Sequence, residues 1–131
     1  MKEFKCGISG KASLKADKSV LAVNVGSGSL EVFATPMMIM LMEKAACSCL
    51  SEYLENDETT VGTELNVKHT SASPEDSDIY AVAELIDVNG RELTFKVEAY
   101  DNAGSIGIGT HKRFIVFGER FTAKTMQKLN K

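Results

Sequence analysis

The stretch FATPMMIMLMEKAAC, from Phe33 to Cys47, reads as one helix that is apolar on almost every side. Thr35 has the side chain of an N-cap, and Pro36 suits the first helical turn, where a missing N–H costs nothing. The helical pattern fades in SEYLENDE, Ser51 to Glu58. A helix apolar nearly all round must be covered on nearly all sides, so the rest of the chain has to supply the cover. Glu43 is the odd residue. Its helical neighbours three, four and seven positions away are Pro36, Ile39, Met40, Ala46, Cys47 and Leu50, all apolar. Lys44, Ser48, Ser51 and Glu55 make the polar stripe that should face water, and Glu43 falls outside it. Two readings stay open: a helix-edge carboxylate with its tip in solvent, or a carboxylate at a pocket wall, placed to act as a base.

Beyond the helix the apolar period changes from helical to two. In TVGTELNVKH, Thr60 to His69, the residues Val61, Thr63, Leu65, Val67 and His69 share one face of a strand, and Gly62, Glu64, Asn66 and Lys68 the other. SPEDSD, Ser73 to Asp78, is a turn. IYAVAELIDV, Ile79 to Val88, and RELTFKVEAY, Arg91 to Tyr100, are strands joined by Asn89-Gly90, the signature of a tight type I′ hairpin. DNAG, Asp101 to Gly104, turns the chain into a last long strand, SIGIGTHKRFIVFG, whose glycines imply a bulge or a close backbone approach. Ahead of the helix, SVLAVNV, Ser19 to Val25, reads as a strand, and GSGS, Gly26 to Ser29, as a loop. One strand, one long buried helix and an antiparallel meander make an α+β hotdog fold, a curved antiparallel sheet wrapped round a central helix. An open sheet edge on such a chain is best removed by pairing with a second copy, so a homodimer is expected.

The 131 residues fit one domain, residues 1–131. The net charge of -3, with no basic cluster interleaved with aromatics, argues against a nucleic-acid partner. The longest strictly apolar run, Met37 to Met42, is too short to cross a bilayer, and MKEFKCGISGK has no signal-peptide core, so a cytoplasmic protein without a membrane partner is expected. Cys6, Cys47 and Cys49 are an odd set without zinc spacing and suit a reducing compartment. The histidines are only His69 and His111, so no metal site is expected.

His69 continues the apolar face of its strand, where a histidine is either a satisfied core residue or a catalytic one. An inward Glu, an inward His and a Thr at the helix start can converge at one end of a groove, although Thr35 and Glu43 are two turns apart. The pieces EVFAT, the helix with Glu43, TVGT, VKHTSASP, VNGREL, IGIGTHKR and FTAK, from about Glu31 to Lys124, resemble the fluoroacetyl-coenzyme A thioesterase family of hotdog proteins in order and spacing. The resemblance implies acyl-CoA thioester hydrolysis, with Thr35, Glu43 and His69 on the family's catalytic triad, Gly62 lining the acyl site and Arg113 near it. It implies no cofactor, coenzyme A being part of the substrate. In that chemistry Glu43 activates water or attacks the carbonyl, His69 shuttles a proton, and Thr35 orients its partners or carries the acyl group. A backbone N–H near Gly62 or at the helix N-terminus polarises the carbonyl. The resemblance departs in the lid: the fluoroacetyl-specific enzyme has bulky phenylalanines just before EVFAT, where this chain has Gly26 and Ser29. A non-catalytic acyl-CoA-binding or regulatory hotdog domain would keep the groove but has no need of all three triad positions. A hotdog hydratase would carry an Asp/His pair in a different motif, which this sequence lacks.

Overall fold

The apolar stretch forms helix α2, Thr35–Leu50, in the computed structural model, which describes residues 2–130. The chain runs β1 (Ser9–Lys15), a single 3-10 turn (Lys18–Val20), α1 (Ala22–Val25), α2, β2 (Glu58–His69), β3 (Asp78–Asn89), β4 (Glu92–Asp101), β5 (Gly104–Phe117) and α3 (Gly118–Met126), with a last 3-10 turn at Gln127–Leu129. The five strands form one antiparallel sheet in the order β1-β3-β4-β5-β2. This is the α+β hotdog arrangement expected from the sequence. No helix among the described residues is long and apolar enough to cross a membrane.

Met38, Leu41, Met42, Ala45, Ala46, Cys49 and Leu50 are the buried side of α2. They pack on small and large apolar residues of the sheet, among them Ala81, Ala83 and Leu85 of β3 and Phe95 and Val97 of β4. The helix lies mainly over β1 and β3 and touches β2 little. Gly10 of β1 makes the close approach possible. A Cβ there would stand 2.4 Å from both the Ala45 carbonyl oxygen and the Cys49 amide nitrogen, backbone atoms that cannot step aside. The cover is one-sided, against expectation: Met37, Ile39, Met40 and Glu43 are only half-buried, and Pro36 and Cys47 are exposed.

Three local expectations are corrected. The stretch Ser19–Val25 is not a strand. Asp17 Oδ1 accepts the Ser19 N–H at 2.9 Å and starts a helical turn, and Gly26 at φ +83° closes α1 by donating to the Ala22 carbonyl. The N-terminal strand is instead SGKASLK, whose half-buried Gly10, Ala12 and Leu14 alternate with exposed polar residues. The β3–β4 hairpin pairs Asn89 with Glu92, so the two-residue loop is Gly90-Arg91 with positive φ at Gly90 alone, a type II′ pattern rather than I′. Thr35 is not the cap of α2 but its first helical residue. Ala34 holds the extended cap position, without a side-chain hydrogen bond.

Candidate functional site

β2 carries the decisive irregularity. Gly62 pairs with Arg113 and Glu64 with Lys112, which leaves Thr63 as an extra residue on the bulged strand. Past the bulge, Leu65, Val67 and His69 oppose His111, Gly109 and Gly107, which share a face of β5 with Arg113. Gly62 therefore lies on the same sheet face as His69, not on the opposite one as strict alternation predicts. Val61, paired with Phe114, is turned to the other face.

His69 and Thr35 meet. Thr35 Oγ1 and His69 Nδ1 are 2.7 Å apart, so the hydroxyl freed from capping serves the imidazole. His69 Nε2 is buried without a hydrogen-bond partner among the described residues. Burial holds the His69 pKa below its ordinary 6.5, against a smaller opposing backbone contact at Ser71, and so favours the neutral ring. The pair lies in a cleft of about 410 Å³ lined also by Ser27, Gly28, Ser29, Leu30 and Phe33. Gly26, which ends α1, is not part of the lining, and Leu30 stands 67% exposed.

Glu43 belongs to a second group. Arg113 Nη1 donates to Glu43 Oε2 at 3.3 Å, and the two side chains are 7% and 37% exposed. A cation so deeply buried needs its hydrogen bonds made. Arg113 Nε donates to Thr60 Oγ1 at 2.8 Å, Nη2 to the Thr60 carbonyl at 3.1 Å, and Nη1 also to His111 Nε2 at 3.1 Å. Gly62 leaves room for the carboxylate: a Cβ on it would stand 2.7 Å from Glu43 Oε2.

One chain thus brings together Thr35 with His69, and Glu43 with Gly62 and Arg113, as two groups. Glu43 lies eight residues beyond Thr35 on α2, about 12 Å along the axis at the usual rise of about 1.5 Å per residue. Sequence reasoning missed Thr60 and His111. His111 left a signal, a polar residue two positions from Arg113 on a strand of period two. The described residues bring together no group of three or more His, Cys, Asp or Glu that could hold a metal.

Both imidazoles bear on stability. His111 is also held below 6.5, first by burial and further by the Arg113 charge, against its bond to the Glu64 carbonyl. In the unfolded chain these rings bind protons near 6.5 while the native rings do not. Stability is therefore expected to fall as pH drops through 6.5 toward the native values. The carboxylates held low, Glu58, Asp78, Glu98 and Asp101, act only below their ordinary values of 3.8 to 4.5. Melting temperatures across about pH 5 to 8 check this; a flat profile would contradict it.

Residues 16–119 match the model of the fluoroacetyl-CoA-specific thioesterase family. The chain is 44% identical over 98 residues to the fluoroacetyl-CoA thioesterase of Streptantibioticus cattleyicolor, covering 75% of this chain and 70% of that protein. It superposes with a TM-score of 0.90 on a variant of the fluoroacetyl-CoA thioesterase FlK solved with acetyl-CoA, at 34% identity over 95% of this chain and 98% of that one. A thioesterase superfamily member from Thermus thermophilus shares the fold with a TM-score of 0.91 at 21% identity, over 99% of this chain and 96% of its own.

Proposed function

The chain belongs to the fluoroacetyl-CoA-specific thioesterase family, and from that premise we propose that this thioester hydrolase cleaves a short- or medium-chain acyl-CoA to the free acid and CoA with a Thr35/Glu43/His69 triad. The observation that carries the reading is the 2.7 Å Thr35–His69 contact in a cleft open to a small acyl group. A threonine hydroxyl used as a cap would do no chemistry; this one is bonded to a ring whose burial keeps it neutral and able to take a proton. The N-terminus of α2 begins beside the cleft at Thr35, where its dipole favours developing negative charge on the thioester oxygen.

Glu43 supplies the carboxylate, as base toward water or as nucleophile. Within one chain it stands apart from the Thr35–His69 cleft. The reading therefore includes a homodimer in which a second copy brings its own Glu43–Arg113 group to the cleft. Two features support this: the half-open face of α2 around Ile39, Met40 and Glu43, and β2 as an uncovered sheet edge. A cytoplasmic setting suits both the CoA thioester and the free thiols of Cys6, Cys47 and Cys49.

The acyl preference follows from the lid. Ser27, Gly28 and Ser29 line the cleft with little bulk, and simple pockets separate substrates of nearly equal size poorly. Acetyl- and fluoroacetyl-CoA are expected to have kcat/KM values within about tenfold of each other, with a modest gain for longer or branched acyl groups. The series is measured on one enzyme preparation, with release of free CoA as the readout. A thousandfold or greater preference for fluoroacetyl-CoA would overturn the argument from the lid, and no turnover of any acyl-CoA would overturn the function.

A further inference from the structure

His111 is fully buried on β5 and lies outside the triad. Its two ring nitrogens have different partners, and the partners fix the tautomer. Nδ1 is 2.9 Å from the Glu64 carbonyl oxygen, which only accepts, so Nδ1 carries the hydrogen. Nε2 is 3.1 Å from Arg113 Nη1, and a guanidinium only donates, so Nε2 must present its lone pair. One uncharged tautomer satisfies both bonds. The ring lies tilted against Phe95, with centroids 6.1 Å apart, which closes its apolar side.

The Arg113 guanidinium is held in the same way. Nε and Nη2 are anchored on Thr60, one N–H of Nη1 goes to His111, and the same nitrogen reaches Glu43 Oε2. The His111 lone pair thus sets the direction in which Nη1 offers its remaining hydrogen to the carboxylate. We propose that His111 is a positioning residue for the hydrolysis: locked by the Glu64 carbonyl, it aims Arg113, and Arg113 holds Glu43 in working geometry. The inference rests on the proposed role of Glu43 and adds to it the residues that keep the carboxylate in place.

The two amide replacements separate this role from a structural one. In His111→Asn the amide overlies Nδ1 and can keep the bond to Glu64, but it cannot reach Arg113. In His111→Gln the longer amide reaches the place of Nε2 and can offer its oxygen to Nη1. His111→Asn is expected to lower kcat toward acetyl-CoA by about tenfold to a hundredfold with KM within about threefold, as displacement of a catalytic group by about an ångström does. His111→Gln is expected to stay within about threefold of the parent kcat, since it restores the acceptor. Melting curves run alongside. Equal kcat in the two variants, or losses that only follow the melting temperature, would overturn the role. Should either variant fail to fold, long-range proton–nitrogen NMR of the parent protein decides: the lock requires a protonated Nδ1 and a pyridine-like Nε2 at His111 at neutral pH, and the opposite tautomer overturns it. The NMR result judges the lock even if the protein hydrolyses no thioester, an outcome that would refute the function by itself.

Discussion

Glu43→Gln is expected to lower acyl-CoA hydrolysis by at least about a hundredfold while the protein stays folded, since a positioned general base contributes that much or more. The glutamine is chosen for a structural reason. Its side-chain oxygen can still accept from Arg113 Nη1, which stands 3.3 Å from Glu43 Oε2, so the buried guanidinium keeps a partner. Glu43→Ala would leave that cation short of one, and any loss of rate would be mixed with a loss of stability. Near-normal turnover in Glu43→Gln would take the carboxylate out of the reaction and make it a structural partner of Arg113. Single-turnover hydrolysis in ¹⁸O water then tests for direct attack: label in the Glu43 carboxylate requires an anhydride opened by water at the glutamyl carbon, whereas label in the acid product alone fits activation of water and equally an anhydride opened at the acyl carbon.

Mixing two inactive variants is expected to give activity back. His69→Ala removes one half of the proposed site and Glu43→Gln the other. If each cleft draws its Glu43 from a second copy, a mixed dimer has one doubly damaged cleft and one intact cleft. Random exchange of subunits in an equal mixture then restores about a quarter of the parent rate. Each variant alone stays nearly inactive, so the contrast is large. A site built within one chain predicts no recovery at all. A sedimentation mass of one chain across a wide concentration range, with activity intact, would equally refute the shared site.

Local rules alone determined much of this protein. The α2 segment, its Pro36 start and its polar stripe at Lys44 and Ser48 follow from helical periodicity, and both are exposed as read, as are Ser51 and Glu55, which lie beyond the end of the helix. The four strands after α2 follow from period-two alternation and turn signals, with ends within a few residues of those observed. Their antiparallel order leaves few folds other than a sheet over the helix. The glycines of β5 were legible as close approaches, and Gly107 indeed faces Met38, whose sulfur would lie 2.5 Å from a Cβ there. The oddity of Glu43 and His69 was legible too, because a polar residue in an apolar pattern needs a partner.

What those partners are, only the tertiary structure decided. Thr35 looked like a cap because capping is a local bond, yet its hydroxyl goes to a ring thirty-four positions away. Gly62 appeared to face away from His69 because alternation assumes a regular strand. The bulge at Thr63 that reverses this is visible only in the register against β5. SVLAVNV has the composition of a strand, but Asp17 and Gly26 cap helical turns at its two ends. SGKASLK is too polar to suggest a strand, and it is one because β3 offers an edge and α2 needs Gly10 beneath it. His111 is the sharpest case. Its tautomer, and with it the aim of Arg113 at Glu43, is set by a carbonyl on β2 and a guanidinium on β5, and no local pattern encodes two donors and acceptors that meet only when the strands pair.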